Sequence, residues 1–338
     1  MNDSTPYESL LNIGRSLRAF PRNETADEPS AAEIGSFLAA NRDLLEQVRV
    51  TLSPACRVPV VYDKSHFEQH SDSFLMLRDL ATALRWKIEE LAAKGEFVPA
   101  ARWAIDLLDL ANGVRRGGLI VDSQVSIAVG GHSAVEQLRR IRHQLPADYR
   151  PSLIEELTRV DAQHEPFAEI LARDREWERR VDLPPYNPRD AWTPEMLEQL
   201  EQIDRETHAK VKEYLASEDP PNTEPDNYDF IRLQNMESLA KLRLLAIDTA
   251  LRLWQSTRGR YPESLDELTP EILPTLPLDP YAAAPFRYRR HGDQFLLYSV
   301  GYSGVDQGGA FGPCYGWERH NFDLCLDSYD YYDWEWPT

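Results

Sequence analysis

The chain has 338 residues, of which 42% are hydrophobic and 28% charged, a composition typical of a globular protein rather than a disordered one. Its net charge of −19 disfavours non-specific binding to nucleic acid, because such binding needs cations that neutralise phosphates, and it disfavours docking on anionic lipid. A basic partner protein or a metal cation suits this charge better. The plainest interpretation is that the excess of acid keeps the protein in solution.

The sequence predicts neither a transmembrane span nor an export signal. The least polar stretch, GGLIVDSQVSIAVGGHSAV, contains Asp122 and too many glycines and polar residues for a bilayer helix. The N-terminus has no basic segment before an apolar run and no small-residue cleavage site. We therefore expect a cytoplasmic protein. A place in the cell envelope or outside the cell is the alternative, if an N-terminal segment has been removed.

Residues 1–216 are predicted to form an α-helical domain, built from hairpins or a bundle. In HFEQHSDSFLMLRDLATALRWKIEELAAKG, apolar residues recur at three- and four-residue steps, and Gly95 follows as a C-cap. The next segment, EFVPAARWAIDLLDLANGVRRGG, continues this pattern. Further helices are predicted at roughly 119–143, 151–180 and 193–216, with short connections that favour antiparallel neighbours.

The last third of the chain has a different pattern, which predicts an α+β module. The acidic, proline-rich segment 217–229 is predicted to be a linker, and residues 230–338 the module. FIRLQNMESLAKLRLLAIDTALRLWQSTRG predicts one long amphipathic helix that Gly259 caps. Its predicted buried side consists of Leu239, Leu242, Leu245 or Ala246, Thr249 and Leu253.

A short turn and a β-hairpin are predicted after this helix. Ser264 and Glu267 have the spacing of a capping box, and the prolines that follow exclude a long element. PFRYRRHGDQFLLYSVG predicts a β-hairpin that turns at HGD. The predicted fold class is therefore mainly α, with a C-terminal module in which a long helix packs on a small antiparallel sheet.

Within roughly 236–309, the motifs GRYP, SLDEL, LPLDPY, PFRYR and FLLYSVGxxGxDxGG occur in the order in which they resemble the globular module of the major pseudopilins of type II secretion. Bacterial proteins of unassigned function append a similar module to a helical region. The resemblance implies a role in assembly rather than in chemistry. A pilus subunit is not expected, because more than two hundred residues precede the long helix.

The resemblance also implies a calcium site in the loop after the sheet. In this sequence the loop reads GYSG, so that Ser303 stands where the family has its first calcium-binding aspartate. Asp306 and Asp323 are the candidate calcium ligands that remain. A serine hydroxyl is a weak calcium ligand beside a carboxylate, so that calcium is an option here and not an expectation.

His66 and His70 lie one helical turn apart in HFEQH, a workable spacing for two metal ligands. Zincins have a glutamate directly after the first histidine, whereas Glu68 lies two positions on. Because such short matches discriminate weakly, we expect two solvated histidines near the start of a helix. Ser133 in GGHSAVE is not expected to be a nucleophile, because Val135 stands where the nucleophile elbow requires glycine.

Carboxylate neighbours in the predicted helices are interpreted as solvated helix faces. The two pairs in question are Glu89 with Glu90, and Asp106 with Asp109.

The C-terminal segment carries two more candidate sites. Cys314 and Cys325 can form a disulfide, remain as free thiols, or bind zinc together with His320 and Asp323. Cys56 has no evident partner. The aromatic residues Tyr329, Tyr332, Trp334 and Trp336 alternate with acidic residues and are candidates for docking on a basic, apolar groove of a partner protein, or else for covering the module's own sheet.

The sequence contains no complete catalytic constellation. We therefore expect a non-enzymatic binding or assembly protein that presents the module to a protein partner. The alternative is a metal-dependent hydrolase built on the histidines of the helical region or on the Cys/His/Asp cluster of the C-terminus. A third interpretation is that the module only supports the fold of the helical domain.

Overall fold

The computed structural model describes residues 4–21, 29–63, 65–128, 132–181, 227–312 and 322–327. The protein is mainly helical, with a small antiparallel sheet after a long helix, as predicted. The α-helices in chain order are α1 (Pro6–Ser16), α2 (Ala31–Ala40), α3 (Arg42–Thr51), α4 (His66–Ala93), α5 (Phe97–Arg115), α6 (Ile120–Ser126), α7 (His132–Ile141), α8 (Arg150–Ala162), α9 (Phe167–Val181) and α10 (Asn227–Arg258). A 3-10 helix (Leu265–Leu268) and strands β1 (Leu278–Asp279), β2 (Ala284–Pro285), β3 (Arg287–His291) and β4 (Gln294–Tyr298) follow.

Helices α4 and α5 form a hairpin at the centre of the helical region. Gly95 ends α4 with a positive φ of 77°, the left-handed conformation that a C-cap glycine adopts without strain. The predicted apolar stripe of α4 is confirmed, because its members face the core. Leu77, Leu80, Leu84 and Ile88 are fully buried.

Helix α1 lies along α4 and runs in the same direction. Thr5 and Glu8 form a capping box at its start, with the Glu8 amide donating to Thr5 Oγ1 at 3.2 Å. Gly14 lies against Met76, so that a Cβ at residue 14 would be 3.0 Å from the Met76 carbonyl oxygen. Further along both segments, the ring of Phe20 lies 5.2 Å from that of Trp86.

Two of the predicted long helices are in fact pairs of shorter ones. The predicted helix at 119–143 is α6 and α7, and the predicted helix at 151–180 is α8 and α9. Pro166 explains the second break, because a proline has no N–H for the helical ladder and its ring clashes with the preceding turn. Residues 129–131, between α6 and α7, lie outside the described residues. The predicted helix at 193–216 lies outside the described residues.

Helix α10 is buried on all sides over its middle turns, so that the prediction of an amphipathic helix with one buried side is wrong. The side chains of 240–242 and 244–251 are all buried, whereas Leu239 and Leu253 are only half-buried. The physical reason is that α10 lies between two partners. It packs on α8, α7 and α6 of the helical region, and also on β1, β4 and the 3-10 helix.

The predicted capping box and hairpin are both present. Glu267 accepts a hydrogen bond from the Ser264 amide at 3.1 Å and so closes the 3-10 turn. Strands β3 and β4 pair antiparallel, with His291 opposite Gln294 across a two-residue turn. Strands β1 and β2 form a second short pair. Ser299 bridges to Leu324, which ties the C-terminal segment to the sheet.

Buried apolar side chains from α1 to Leu326 form one connected core, and a smaller cluster surrounds Leu119, Trp177 and Val181. The division into two domains at 217–229 stays a prediction, because 182–226 lie outside the described residues. Helix α10 begins at Asn227, within the predicted linker. No helix in the described ranges combines the length and the apolar character needed to cross a bilayer.

Candidate metal centre

His66, His70 and Asp122 come together inside the helical region. One ligand atom of each residue lies within 4.8 Å of those of the other two, and no other group of three such residues is found in the described part of the chain. The side chains are 0%, 5% and 0% exposed, respectively. The expectation of two solvated histidines is therefore wrong. Residues from the 56–63 segment and α9 cover the start of α4 and exclude solvent from both rings. The sequence around His66 and His70 does not indicate this packing.

The start of α4 positions both imidazole rings. Asp63 forms an Asx turn, in which its Oδ1 accepts a hydrogen bond from the Ser65 amide at 2.8 Å, and the helix follows directly. The Val61 amide donates to His66 Nδ1 at 3.2 Å, so that the neutral ring carries its proton on Nε2; an ion at Nε2 requires this proton to move to Nδ1, in place of the hydrogen bond from Val61. The rings of His66 and His70 lie 4.0 Å apart at an angle of 42°.

The ring of His70 is oriented by the helix itself. The backbone of His66 hydrogen-bonds the His70 ring and favours its protonated form, as a carbonyl acceptor does. His70 Nε2 is buried and has no hydrogen-bond partner among the described residues. The carbonyl therefore takes Nδ1–H, and the lone pair of Nε2 is left for a ligand, the arrangement of a metal-binding histidine.

Asp122 comes from the first turn of α6. Its Oδ2 accepts a hydrogen bond from the Leu119 amide at 2.7 Å, in the reciprocal half of a capping box. Its Oδ1 is buried, and nothing in the described residues donates to it. Gly118 makes room for this carboxylate, because a Cβ there would lie 2.5 Å from that of Asp122. One oxygen thus holds the side chain in place, and the other is left for an ion.

Helix α9 closes the centre from outside. Trp177 Nε1 donates to the Val61 carbonyl at 2.8 Å, and its ring lies 5.9 Å from that of His66. Asp174 Oδ1 accepts from the Ile120 amide at 3.0 Å and thereby fixes α9 to the start of α6. The centre is therefore built from the 56–63 segment and three helices that are distant in sequence.

Burial keeps both imidazoles uncharged near neutral pH. It lowers the pKa of His66 from 6.5 to about 4, with a further contribution from His70, and it lowers the pKa of His70 as well. Burial raises the pKa of Asp122 from 3.8 to about 7, against the Leu119 amide, which lowers it. A divalent cation would reverse the effect on Asp122, because it stabilises the carboxylate.

Two more buried polar side chains lie near this centre. Tyr7 on α1 is 1% exposed, and its hydroxyl has no hydrogen-bond partner in the described ranges. Burial raises its pKa, and the nearby Asp122 carboxylate and Cys56 thiol raise it further. Burial also raises the pKa of Cys56 to about 11. Sequence analysis missed Tyr7 because it occupies an ordinary core position of an amphipathic helix.

The two predicted calcium ligands lie at the loop after the hairpin, where both carboxylates already accept hydrogen bonds. Asp306 Oδ1 accepts from the Tyr298 hydroxyl and the Gly308 amide, each at 2.9 Å. Asp323 accepts from the amides of Gln307 at 3.2 Å and Gly309 at 2.8 Å. Calcium binding stays a prediction.

The other candidates from the C-terminus can be placed only in part. Cys325 is half-buried beside the bridge of Leu324. The remaining members of this set lie outside the described residues: Cys314, His320, Tyr329, Tyr332, Trp334 and Trp336.

The carboxylate pairs of α4 and α5 differ from each other. Asp106 and Asp109 are not a solvated face, because they bind Arg49 on α3 at 2.6 Å and Arg159 on α8 at 2.7 Å. Burial raises the pKa of Asp106 to about 6. Glu89 and Glu90 accept from cations of their own helix, as surface pairs do. Ser133 lies in the first turn of α7, a helical context in agreement with the expectation.

Comparison of the sequence with protein-family models, with curated proteins and with solved structures finds no match.

Proposed function

We propose that this protein binds one divalent transition-metal ion at His66, His70 and Asp122, and that the ion joins α4 to α6 in the interior of the helical region. The observation that carries the proposal is that one ligand atom of each of these three buried residues lies within 4.8 Å of those of the other two. In addition, His70 Nε2 and Asp122 Oδ1 are buried without a hydrogen-bond partner in the described residues. Buried polar atoms are almost always hydrogen-bonded, so that two of them without a partner in neighbouring side chains call for a ligand.

The chemistry of the ligands supports a transition metal over calcium or magnesium. Two neutral imidazoles and one carboxylate suit Zn²⁺, Fe²⁺ or Mn²⁺, whereas Ca²⁺ and Mg²⁺ take oxygen ligands. A hydrolase needs a coordination position that is open to its substrate. Because the three ligands are at most 5% exposed, the centre favours a structural ion over a hydrolytic one.

Metal analysis of purified protein tests this proposal. The chain is stripped with a chelator, reloaded separately with Zn²⁺, Fe²⁺, Mn²⁺ or Ca²⁺, freed of excess ion and analysed by elemental mass spectrometry. We expect one transition-metal ion per chain in the wild type and none in His70→Gln or Asp122→Asn. His291→Gln is the matched control, because His291 is exposed at the hairpin turn. Equal metal content in all four proteins, or none in the wild type, would overturn the proposal.

Binding to a protein partner, which the pseudopilin resemblance implies, is a second candidate function. A groove of about 610 Å³ supports it, at the junction of α8, the end of α10 and the connector to the sheet. Ile154, Leu253 and Ile272 give the groove an apolar floor, and Arg258 and Glu271 form an ion pair at its edge. A peptide with apolar anchors and few charges fits such a surface.

A photo-crosslinker at Thr257 in this groove, compared with one at exposed Val50 on α3, tests the second candidate. A protein captured from Thr257 alone supports the proposal only if its purified form binds the wild type and not Leu253→Asp. Capture from both positions, or binding that Leu253→Asp leaves unchanged, would contradict it.

A further inference from the structure

We propose that Tyr7 is the fourth protein ligand of the ion, which it binds through its phenolate oxygen. The inference rests on the proposed function, since it concerns the same centre. It completes a closed set of two nitrogen and two oxygen ligands. It also adds α1 to the helices that the ion holds together.

The packing of α1 on α4 places Tyr7 at the level of the two histidines. The two helices run in the same direction, because Gly14 contacts Met76 and, further on, Phe20 contacts Trp86. Tyr7 precedes Gly14 by two turns, a distance of about 10 Å along a helix. The same distance back along α4 from Met76 leads to the turn between His66 and His70.

The phenol of Tyr7 lacks the partner that a buried tyrosine normally has. The side chain is 1% exposed, and its oxygen, like Asp122 Oδ1 and His70 Nε2, is buried without a hydrogen-bond partner in the described part of the chain. Buried tyrosine hydroxyls usually find a partner, and the same holds for buried side-chain polar atoms in general. One ion would satisfy all three atoms together.

The charge of the centre also favours a phenolate ligand. A divalent ion bound by two neutral imidazoles and the Asp122 carboxylate leaves one positive charge in a site that water does not reach. An uncompensated charge is costly to bury. When Tyr7 binds, its proton leaves to solvent and the oxygen–metal bond forms, so that the phenolate brings the net charge of the centre to zero. Four protein ligands also match the tetrahedral preference of a structural Zn²⁺ site.

Visible absorption of the full-length protein loaded with Cu²⁺ tests this assignment, because a phenolate bound to Cu²⁺ gives a charge-transfer band that carboxylate and imidazole ligands do not give. We expect the band in the wild type and in the control Tyr62→Phe, whose ring is exposed. We expect no band in Tyr7→Phe. The affinity of Tyr7→Phe for Zn²⁺, measured by competition with a chromophoric chelator, should fall about 100-fold, the upper end of what outer-sphere changes cost.

The outcomes separate this inference from the proposal on which it rests. If the wild type binds no ion, the metal centre itself is refuted. If the wild type binds an ion that His70→Gln and Asp122→Asn lose, but Tyr7→Phe keeps both the spectrum and the affinity, only the role of Tyr7 is refuted. If Tyr7→Phe binds Zn²⁺ more weakly but the wild type shows no charge-transfer band with Cu²⁺, the role of Tyr7 as a ligand is also refuted. Tyr7 would then position Asp122 and not bind the ion. Circular dichroism of Tyr7→Phe, which keeps the buried ring, checks that the variant is folded.

Discussion

A ring nitrogen of His70 and a carboxylate oxygen of Asp122 lie within 4.8 Å of each other, although α4 and α6 are separated in the chain by the whole of α5. In each residue, one polar atom of the side chain hydrogen-bonds a nearby backbone group, and the other has no partner among the described residues. A pair of buried ligand atoms thus lies where the two helices approach each other. Its consequences for stability can be measured.

The pH dependence of stability should change in Asp122→Asn when both proteins are metal-free. The pKa of Asp122 is raised from 3.8 to about 7, so that the folded state holds a proton that the unfolded state has lost. Metal-free wild type therefore loses stability from this group as pH rises from about 4 to about 7. The asparagine variant does not lose stability in this way. The difference in free energy of unfolding, variant minus wild type, should therefore increase by roughly 3 kcal/mol from pH 4 to pH 7.

Urea unfolding of both proteins in chelator, between pH 4 and pH 7, measures this gain. His66 acts in the opposite direction. Its pKa is lowered to about 4, so that its contribution grows as pH rises to its ordinary 6.5. This effect is common to both proteins and cancels in the difference. A difference in free energy that stays constant with pH would show that Asp122 does not titrate as proposed.

Gly118→Ala should disrupt the centre without removing any ligand. The new Cβ would lie 2.5 Å from the Cβ of Asp122, so that the start of α6 must move. We expect a loss of about 1–3 kcal/mol in the free energy of unfolding, the usual cost of overpacking, together with weaker metal binding. Gly35→Ala on α2 is the control, because nothing lies within 4 Å of its Cβ position and alanine favours a helix. Equal stability of the two variants, measured by urea titration, would contradict the geometry.

Asn235→Ala should weaken the attachment of α10 to the helical region. Arg115 is 1% exposed, and its guanidinium donates to Asn235 Oδ1 and to Ser123 Oγ, which itself donates to Asn235 at 2.9 Å. Removing the amide leaves buried donors unpaired, which costs about 1–3 kcal/mol. Asn12→Ala on the exposed face of α1 should cost less than about 0.5 kcal/mol. Thermal melts that show the same change for both variants would contradict this account.

Asp323→Ala should destabilise the loop after the hairpin even when calcium is removed. This carboxylate is 4% exposed and accepts two loop amides, Gln307 and Gly309. Its loss should lower the free energy of unfolding by about 2 kcal/mol in the presence of a calcium chelator. If instead the effect of Asp323→Ala appears only with calcium present, the carboxylate serves the ion, as the pseudopilin resemblance implies.

Local patterns predict the parts of this fold that short segments determine. The hairpin turn, the capping box of Ser264 and Glu267, and the apolar stripe of α4 all follow from residues a few positions apart. The double burial of α10 does not, because its second partner, α8, is distant in sequence.

The candidate centre also depends on contacts between residues that are distant in sequence. The spacing of His66 and His70 marks a workable pair, but their burial depends on Trp177 and the 56–63 segment. Asp122 enters the sequence analysis only as a polar residue that excludes a bilayer helix. No residue near Asp122 in the sequence indicates a link to the histidines. The turn at Gly118 and the packing of α6 on α5 bring Asp122 close to them only in the folded chain.

The most direct test is the metal content of wild type and Asp122→Asn, reloaded with Zn²⁺ side by side and analysed by elemental mass spectrometry. One ion per chain in the wild type and none in the variant is the expected result, with His291→Gln equal to the wild type. The same content in wild type and Asp122→Asn would show that the buried carboxylate holds no metal.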